Sequence, residues 1–142
     1  MTSCCESKYS EKETKLLLKK HGLSATKNIL QIYKLLKTTE SPLSSHDLIK
    51  RVENINESTV FRILLKLKNV LLINEVDLNE GFKRFEIFPE NHHHHHILCE
   101  KCHNVEIINK CQVKLLEDEC KKLGFTNIKH KIEFFGICSN CH

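Results

Sequence analysis

Two short cysteine pairs, Cys99-Glu100-Lys101-Cys102 and Cys138-Ser139-Asn140-Cys141, bracket the last third of this 142-residue chain. Each C-x-x-C offers two soft donors, and two such pairs supply the four thiolates of a closed tetrahedral zinc site. An ion held this way would pin the first strand of a small module to its last, in a stretch too short to build a thick core. Thiolate sites of this kind contribute binding free energies of about 10 kcal/mol or more. Eight cysteines would suggest disulfides in an exported protein, but the N-terminus MTSCCESKYSEKE has neither the basic nor the apolar block of a signal peptide. No apolar run reaches membrane-spanning length. The expectation is a cytoplasmic chain with no membrane partner, whose paired thiolates hold one structural zinc; a redox dithiol is the alternative. Cys4, Cys5, Cys111 and Cys120 fall outside the pattern.

Immediately before the first pair stands a run of five histidines, His92 to His96. In an extended strand successive side chains alternate, so His94 and His96 would face one ion while His93 and His95 turn towards another. Neutral imidazole suits zinc, iron, nickel or copper and gives an exchangeable site rather than a closed cage. His130 lies on a segment, Thr126 to Phe135, whose alternation predicts a strand with Ile128, His130, Ile132 and Phe134 on one face. It is either a core histidine or a ligand that a neighbouring strand brings to His93 and His95. Between these elements the pattern predicts strands over His92–Glu100 and Val105–Ile108. A helix is expected from Cys111 to Leu123, burying Val113, Leu116, Cys120 and Leu123.

The first half reads differently. Of the net charge of +4, residues 1–80 hold most, with 13 Lys/Arg against 10 Asp/Glu, which favours a polyanionic partner for that half. A helix is expected from Glu11 to His21, ending at Gly22, and another from Thr26 to Lys37 with Ile29, Ile32, Tyr33 and Leu36 on one face. Ser44-Ser45-His46-Asp47 has the form of a capping box for a short helix. In ESTVFRILLKLKN, Glu57 to Asn69, Val60, Leu64, Leu67 and Leu71 form a buried stripe. Ser58, Thr59, Arg62 and Lys66 line the outer side, as on a helix entering a major groove. Two strands, Leu72–Leu78 and Phe82–Phe88, joined through Asn79-Glu80-Gly81, complete an N-terminal winged helix-turn-helix. The fold class is therefore α+β: residues 1–88 a winged-helix DNA-binding domain, residues 89–142 a small α/β module with a four-cysteine zinc site, the boundary near Pro89.

HHHHHILCEKCHNVEII followed by HKIEFFGICSNC resembles the C-terminal domain of the ferric uptake regulator superfamily, and GLSATKNILQIY, SSHDLIK and STVFR resemble its DNA-binding half. The resemblance implies a homodimeric, metal-responsive transcription regulator, usually a repressor, that binds double-stranded DNA and dimerises through the C-terminal domain. It implies structural zinc on Cys99, Cys102, Cys138 and Cys141. It also implies a regulatory divalent metal (zinc, iron or manganese) on His94, His96 and Glu86, and an additional site at His93, His95 and His130. Phe61 stands where the family usually has Tyr, and Ile29 where it has Arg. The family's histidine before the capped helix falls at Ser41-Pro42, and its acidic ligand after the second cysteine falls at Ile107. The cysteine of zinc-sensing members on the second hairpin strand falls near Phe88. Asp77 or Glu75 stands as the replacement oxygen ligand, and the short C-terminal C-x-x-C spacing leans towards zinc. On DNA, Ser58, Thr59, Phe61, Arg62 and Lys66 are the expected contacts. Two rivals are a zinc-buffering or scaffold protein without specific DNA binding, and a small metallohydrolase. The histidine run carries no acidic residue to handle protons for the latter.

Overall fold

A computed structural model of the chain describes residues 10–88 and 94–142. His92, His93 and the boundary expected near Pro89 lie outside the described residues. Helix α1 (Glu11–Lys20) begins at a capping box in which Ser10 accepts from Glu13 N–H and Glu13 reaches back to Ser10 N–H. It ends where Gly22 takes a φ of +73°, letting Leu23 N–H reach Leu18 O at 2.8 Å. Helix α2 (Lys27–Thr38) is capped by Thr26 and buries the Ile29, Ile32, Tyr33 and Leu36 face expected of it. Strand β1 (Leu43–Ser44) leads into α3 (Ser45–Arg51), whose Ser44/Asp47 capping box is formed as the sequence suggested.

Helix α4 (Glu57–Asn69) starts at Asn56, whose Oδ1 accepts from Thr59 N–H at 2.8 Å. Val60, Ile63, Leu64 and Leu67 are its buried stripe. Leu71, expected to extend that stripe, is exposed. It lies past the helix end at φ +58°, in the turn where Leu72 N–H bonds Leu67 O. Strands β2 (Ile73–Asp77) and β3 (Lys83–Ile87) form an antiparallel hairpin, and β1 pairs with the other edge of β3, giving the order β1-β3-β2. The two-residue β1 was too short to show in the sequence pattern. Helices α1 to α4 and this sheet enclose one apolar core running from Leu18 to Phe85.

The second sheet has the order β5-β4-β6: β4 (His95–Cys99) pairs antiparallel with β5 (Val105–Ile108) and parallel with β6 (Glu133–Gly136). Helix α5 (Val113–Lys122) connects β5 to the segment before β6. Two expectations fail here. The strand expected over Thr126–Phe135 is confined to its end, because only Glu133 to Gly136 find a partner on β4. Of the expected α5 stripe only Val113 is buried; Cys120 is half-buried, and Leu116 and Leu123 are 65% and 70% exposed, because no described residue covers that side. A small cluster of Val76, Leu78, Leu98 and Val105 joins the hairpin to the second sheet.

Candidate metal centres

Pairing sets the four-cysteine site. The parallel register places Cys99 opposite Gly136, so Cys138 follows two residues beyond the end of that pair. A tight turn, Cys141 N–H to Cys138 O at 2.9 Å, brings the last thiol back, and another, His103 N–H to Cys99 O at 2.9 Å, does the same for Cys102. All four Sγ atoms lie within 4.8 Å of one another, with Cys102 and Cys138 3.7 Å apart. A tetrahedral zinc with bonds of about 2.3 Å requires sulfur separations of about 3.8 Å, so the cluster fits that ion. The backbone N–H groups of Cys102 and Cys138 hold the Cys99 thiol down at about 6. The sulfurs of Cys138 and Cys102 push Cys141 up to about 12. Four crowded thiols cannot all ionise beside one another, and a divalent cation supplies the charge that lets them.

Glu86, His94 and His96 form a second group, their donor atoms within 4.8 Å of one another. Glu86 sits on β3, whereas His94 and His96 stand at the start of β4, two residues apart on one side. Glu86 Oε2 lies 2.9 Å from His96 Nε2 and 3.1 Å from His94 Nε2, and the two imidazoles meet edge to face at 5.0 Å. Burial pushes the Glu86 carboxyl up, but contact with His96 and His94 outweighs it and holds the group below its ordinary value. The three side chains are buried or nearly so, lining a cavity of roughly 230 Å³. A carboxylate and two imidazoles this close can replace shared protons with one ion.

Asp77 borders that cavity but is not drawn into the group. Its carboxylate pairs with Lys83 and accepts from Asn79 N–H at 3.0 Å. Glu75 likewise turns away to Lys68, at 2.6 Å. The physical reason is the register: Asp77 lies opposite Lys83 and Glu75 opposite Phe85, while Asn74 is the residue across from Glu86.

His95 points to the other side of β4. It joins His130 and Cys111 in a third group whose donor atoms also lie within 4.8 Å of one another. The His95 and His130 rings are 5.9 Å apart, and His95 meets Phe134 edge to face at 6.4 Å. His93, the third residue expected here, lies outside the described residues. Cys111 was missed from sequence: its only signal was that it remained over once the C-x-x-C pairs were counted.

On α4, Ser58, Phe61, Arg62 and Lys66 are exposed and Thr59 is half-buried. Ser58 Oγ donates to Asn56 Oδ1 at 3.0 Å, and Arg62 Nε to Ser58 O at 3.3 Å, so the helix start is ordered by its own side chains. Sequence reasoning also missed a polar junction between the hairpin and the first cysteine turn. Glu80 accepts from Arg84 Nε and Nη2 at 2.6 and 2.8 Å and contacts His103 Nδ1 at 3.2 Å. Arg84 also approaches Asp47 on α3 at 3.8 Å. No helix among the described residues is long and apolar enough to cross a membrane.

Comparison with known proteins identifies the family and the fold. The chain is 35% identical over 135 residues to a ferric uptake regulation protein of Staphylococcus aureus, covering 88% of this chain and 93% of that one. It is 33% identical over 125 residues to a zinc uptake regulation protein of Mycobacterium tuberculosis, covering 84% and 95%. The crystal structure of the Vibrio cholerae ferric uptake regulator superimposes with a TM-score of 0.77 at 24% identity, over 88% of this chain and 99% of that one. Residues 20–135 match the model of the ferric uptake regulator family, and to that family this chain belongs.

Proposed function

We propose that this chain is a metal-responsive transcription regulator, a repressor that binds double-stranded DNA as a homodimer and whose affinity is set by an exchangeable divalent ion on Glu86, His94 and His96. The observation that carries this reading is the pairing of a carboxylate from the β2–β3 hairpin with two imidazoles at the head of β4. One ion there ties the element that follows α4 to the sheet that holds the four cysteines. Residues 1–88 act as a winged helix-turn-helix in which α4 enters the major groove and the hairpin is the wing; residues 89–142 form the dimerisation domain. The relatives named for iron and for zinc uptake regulation support the class of activity, and the four-thiolate cluster takes the structural zinc.

For recognition, Ser58, Thr59, Arg62 and Lys66 supply polar and cationic contacts, with Arg62 on phosphate. Phe61, half exposed, offers an apolar face to thymine methyl groups in place of a hydroxyl. Leu115, Leu116, Leu123 and Phe125 are each at least 65% exposed in the single chain, which supports their burial against a second copy. A twofold dimer must hold its two reading helices about 34 Å apart to meet successive major grooves. An ion that fixes the hairpin against the dimer module limits that spacing. To change operator occupancy substantially the ion must favour the binding-competent arrangement by a few kcal/mol. Mobility-shift titration on an AT-rich palindrome, with zinc, iron(II) or manganese(II) and after their removal, tests the switch. Tighter binding with metal, abolished by Glu86→Ala, is the expected outcome; equal affinity in all arms would leave a zinc-binding protein without regulatory function.

A further inference from the structure

We propose that Cys111 is a metal ligand, and that the third group is a mixed imidazole and thiolate site selective for zinc over manganese. The inference deepens the reading of His93, His95 and His130 as an additional metal site and rests on it. The antiparallel register sets His95 of β4 opposite Ile108, the last residue of β5. Residues 109–112 then turn the chain back into α5, and this turn carries Cys111 to the side of β4 that His95 faces. His130 arrives from the segment before β6. Three donors from three separate parts of the chain thus converge within 4.8 Å.

The surroundings orient the donors for an ion. Glu117 on α5 contacts His130 Nδ1 at 3.1 Å. When Nδ1–H donates to that carboxylate, the lone pair of the ring lies on Nε2, the carboxylate–histidine pairing that typically orients metal-bound imidazole. Phe134 packs roughly perpendicular to the His95 ring beside this group. Chemically, two borderline nitrogens and one soft thiolate suit zinc or cobalt(II), whereas manganese and magnesium prefer oxygen donors. The thiolate therefore gives this group a different ion preference from that of Glu86, His94 and His96 on the opposite side of the same strand, where the third donor is oxygen.

Cobalt(II) titration tests this on full-length protein that keeps its four-thiolate zinc, verified by atomic emission, after exchangeable ions are removed by dialysis. Wild type, Cys111→Ser, Cys111→Asp, Cys120→Ser and His130→Ala are compared, with far-UV circular dichroism checking that each is folded. The expected result is a near-ultraviolet sulfur-to-cobalt charge-transfer band in wild type and Cys120→Ser that is missing from Cys111→Ser. Zinc competition should show a loss of affinity on the order of 100-fold or more in Cys111→Ser, since even outer-shell partners of metal sites are worth about 10- to 100-fold. Cys111→Asp should recover cobalt binding without the sulfur band and shift preference towards manganese. A sulfur band undiminished in Cys111→Ser overturns the assignment of Cys111 while leaving the histidine site standing. Wild type and His130→Ala taking up the same number of cobalt ions would instead remove the additional site itself, and the proposal with it.

Discussion

Fifteen buried apolar side chains from Leu18 to Phe85 form one continuous core in the first half of the molecule, whereas from His94 onward only Leu98, Cys99, Val105 and Val113 are buried apolar residues. The second half instead collects ligand groups: four thiols, an imidazole pair reaching to Glu86, and a mixed group behind them. Helices with whole buried stripes can stabilise themselves by removing apolar area from water. A three-stranded sheet with one short helix cannot, and ion binding takes the place of the missing burial. The lesson is that the two halves should respond to different insults.

The largest effect expected from this contrast follows removal of the four-thiolate ion. Cys99→Ser, or strong chelation, should withdraw about 10 kcal/mol or more from the second half, more than such a module can lose. Hydrogen exchange should then show β4, β5 and β6 losing protection while α2 and α4 keep theirs; equal loss in both halves would mean that the first core does not stand by itself. Next comes Leu64→Ala, at a position 1% exposed. It should cost about 2 to 5 kcal/mol in denaturant unfolding and leave zinc content unchanged, the reverse pattern.

Between the halves lies the Glu80, Arg84 and His103 junction, and Glu80→Gln should cost about 2 kcal/mol by loosening a charge-assisted pair. Its pH signature has a definite sign. The Arg84 guanidinium holds the Glu80 carboxyl below its ordinary value of 4.5, against burial, which raises it. The stabilisation is therefore complete above pH 4.5 or so and is lost as the pH falls through the lowered folded-state value. Acid titration followed by near-UV circular dichroism should show wild type converging on Glu80→Gln in that window; a constant gap between them would assign the effect to packing. The smallest effect is Asn56→Ala at the start of α4, about 1 kcal/mol from the lost cap. It should be read from thermal unfolding, with metal affinity unchanged.

The same contrast explains what the sequence disclosed. The bounds of α4 and the Ser44/Asp47 box were legible because a 3.6-residue period and a cap act over a few neighbouring residues. The four cysteines were legible because the C-x-x-C spacing is itself local. Cys111 beside His95 was not, because their approach depends on the β4–β5 register and on the path of the following turn. Asp77 looked suitable by residue type and position, yet pairing on the hairpin sent it to Lys83. The alternation over Thr126–Phe135 was present, but a strand also needs a partner edge, and β4 offers one only to Glu133–Gly136. Leu116 and Leu123 followed helical spacing without being covered in a single chain, since amphipathic spacing records that a face is apolar and not what meets it.

One consequence follows from three consecutive imidazoles entering β4. Because His94, His95 and His96 are identical, sliding the strand by one residue would exchange the two sides and still present nitrogen to both donor groups, so the imidazoles themselves cannot tell one alignment from its neighbour. What breaks the degeneracy is downstream: Leu98 must fill the small apolar cluster and Cys99 must reach Cys102 and Cys138. The sulfur knot thereby serves as the phase reference of the whole strand, and a lesion that unfastens it should cost the distant nitrogens their ions as well, although it touches none of them.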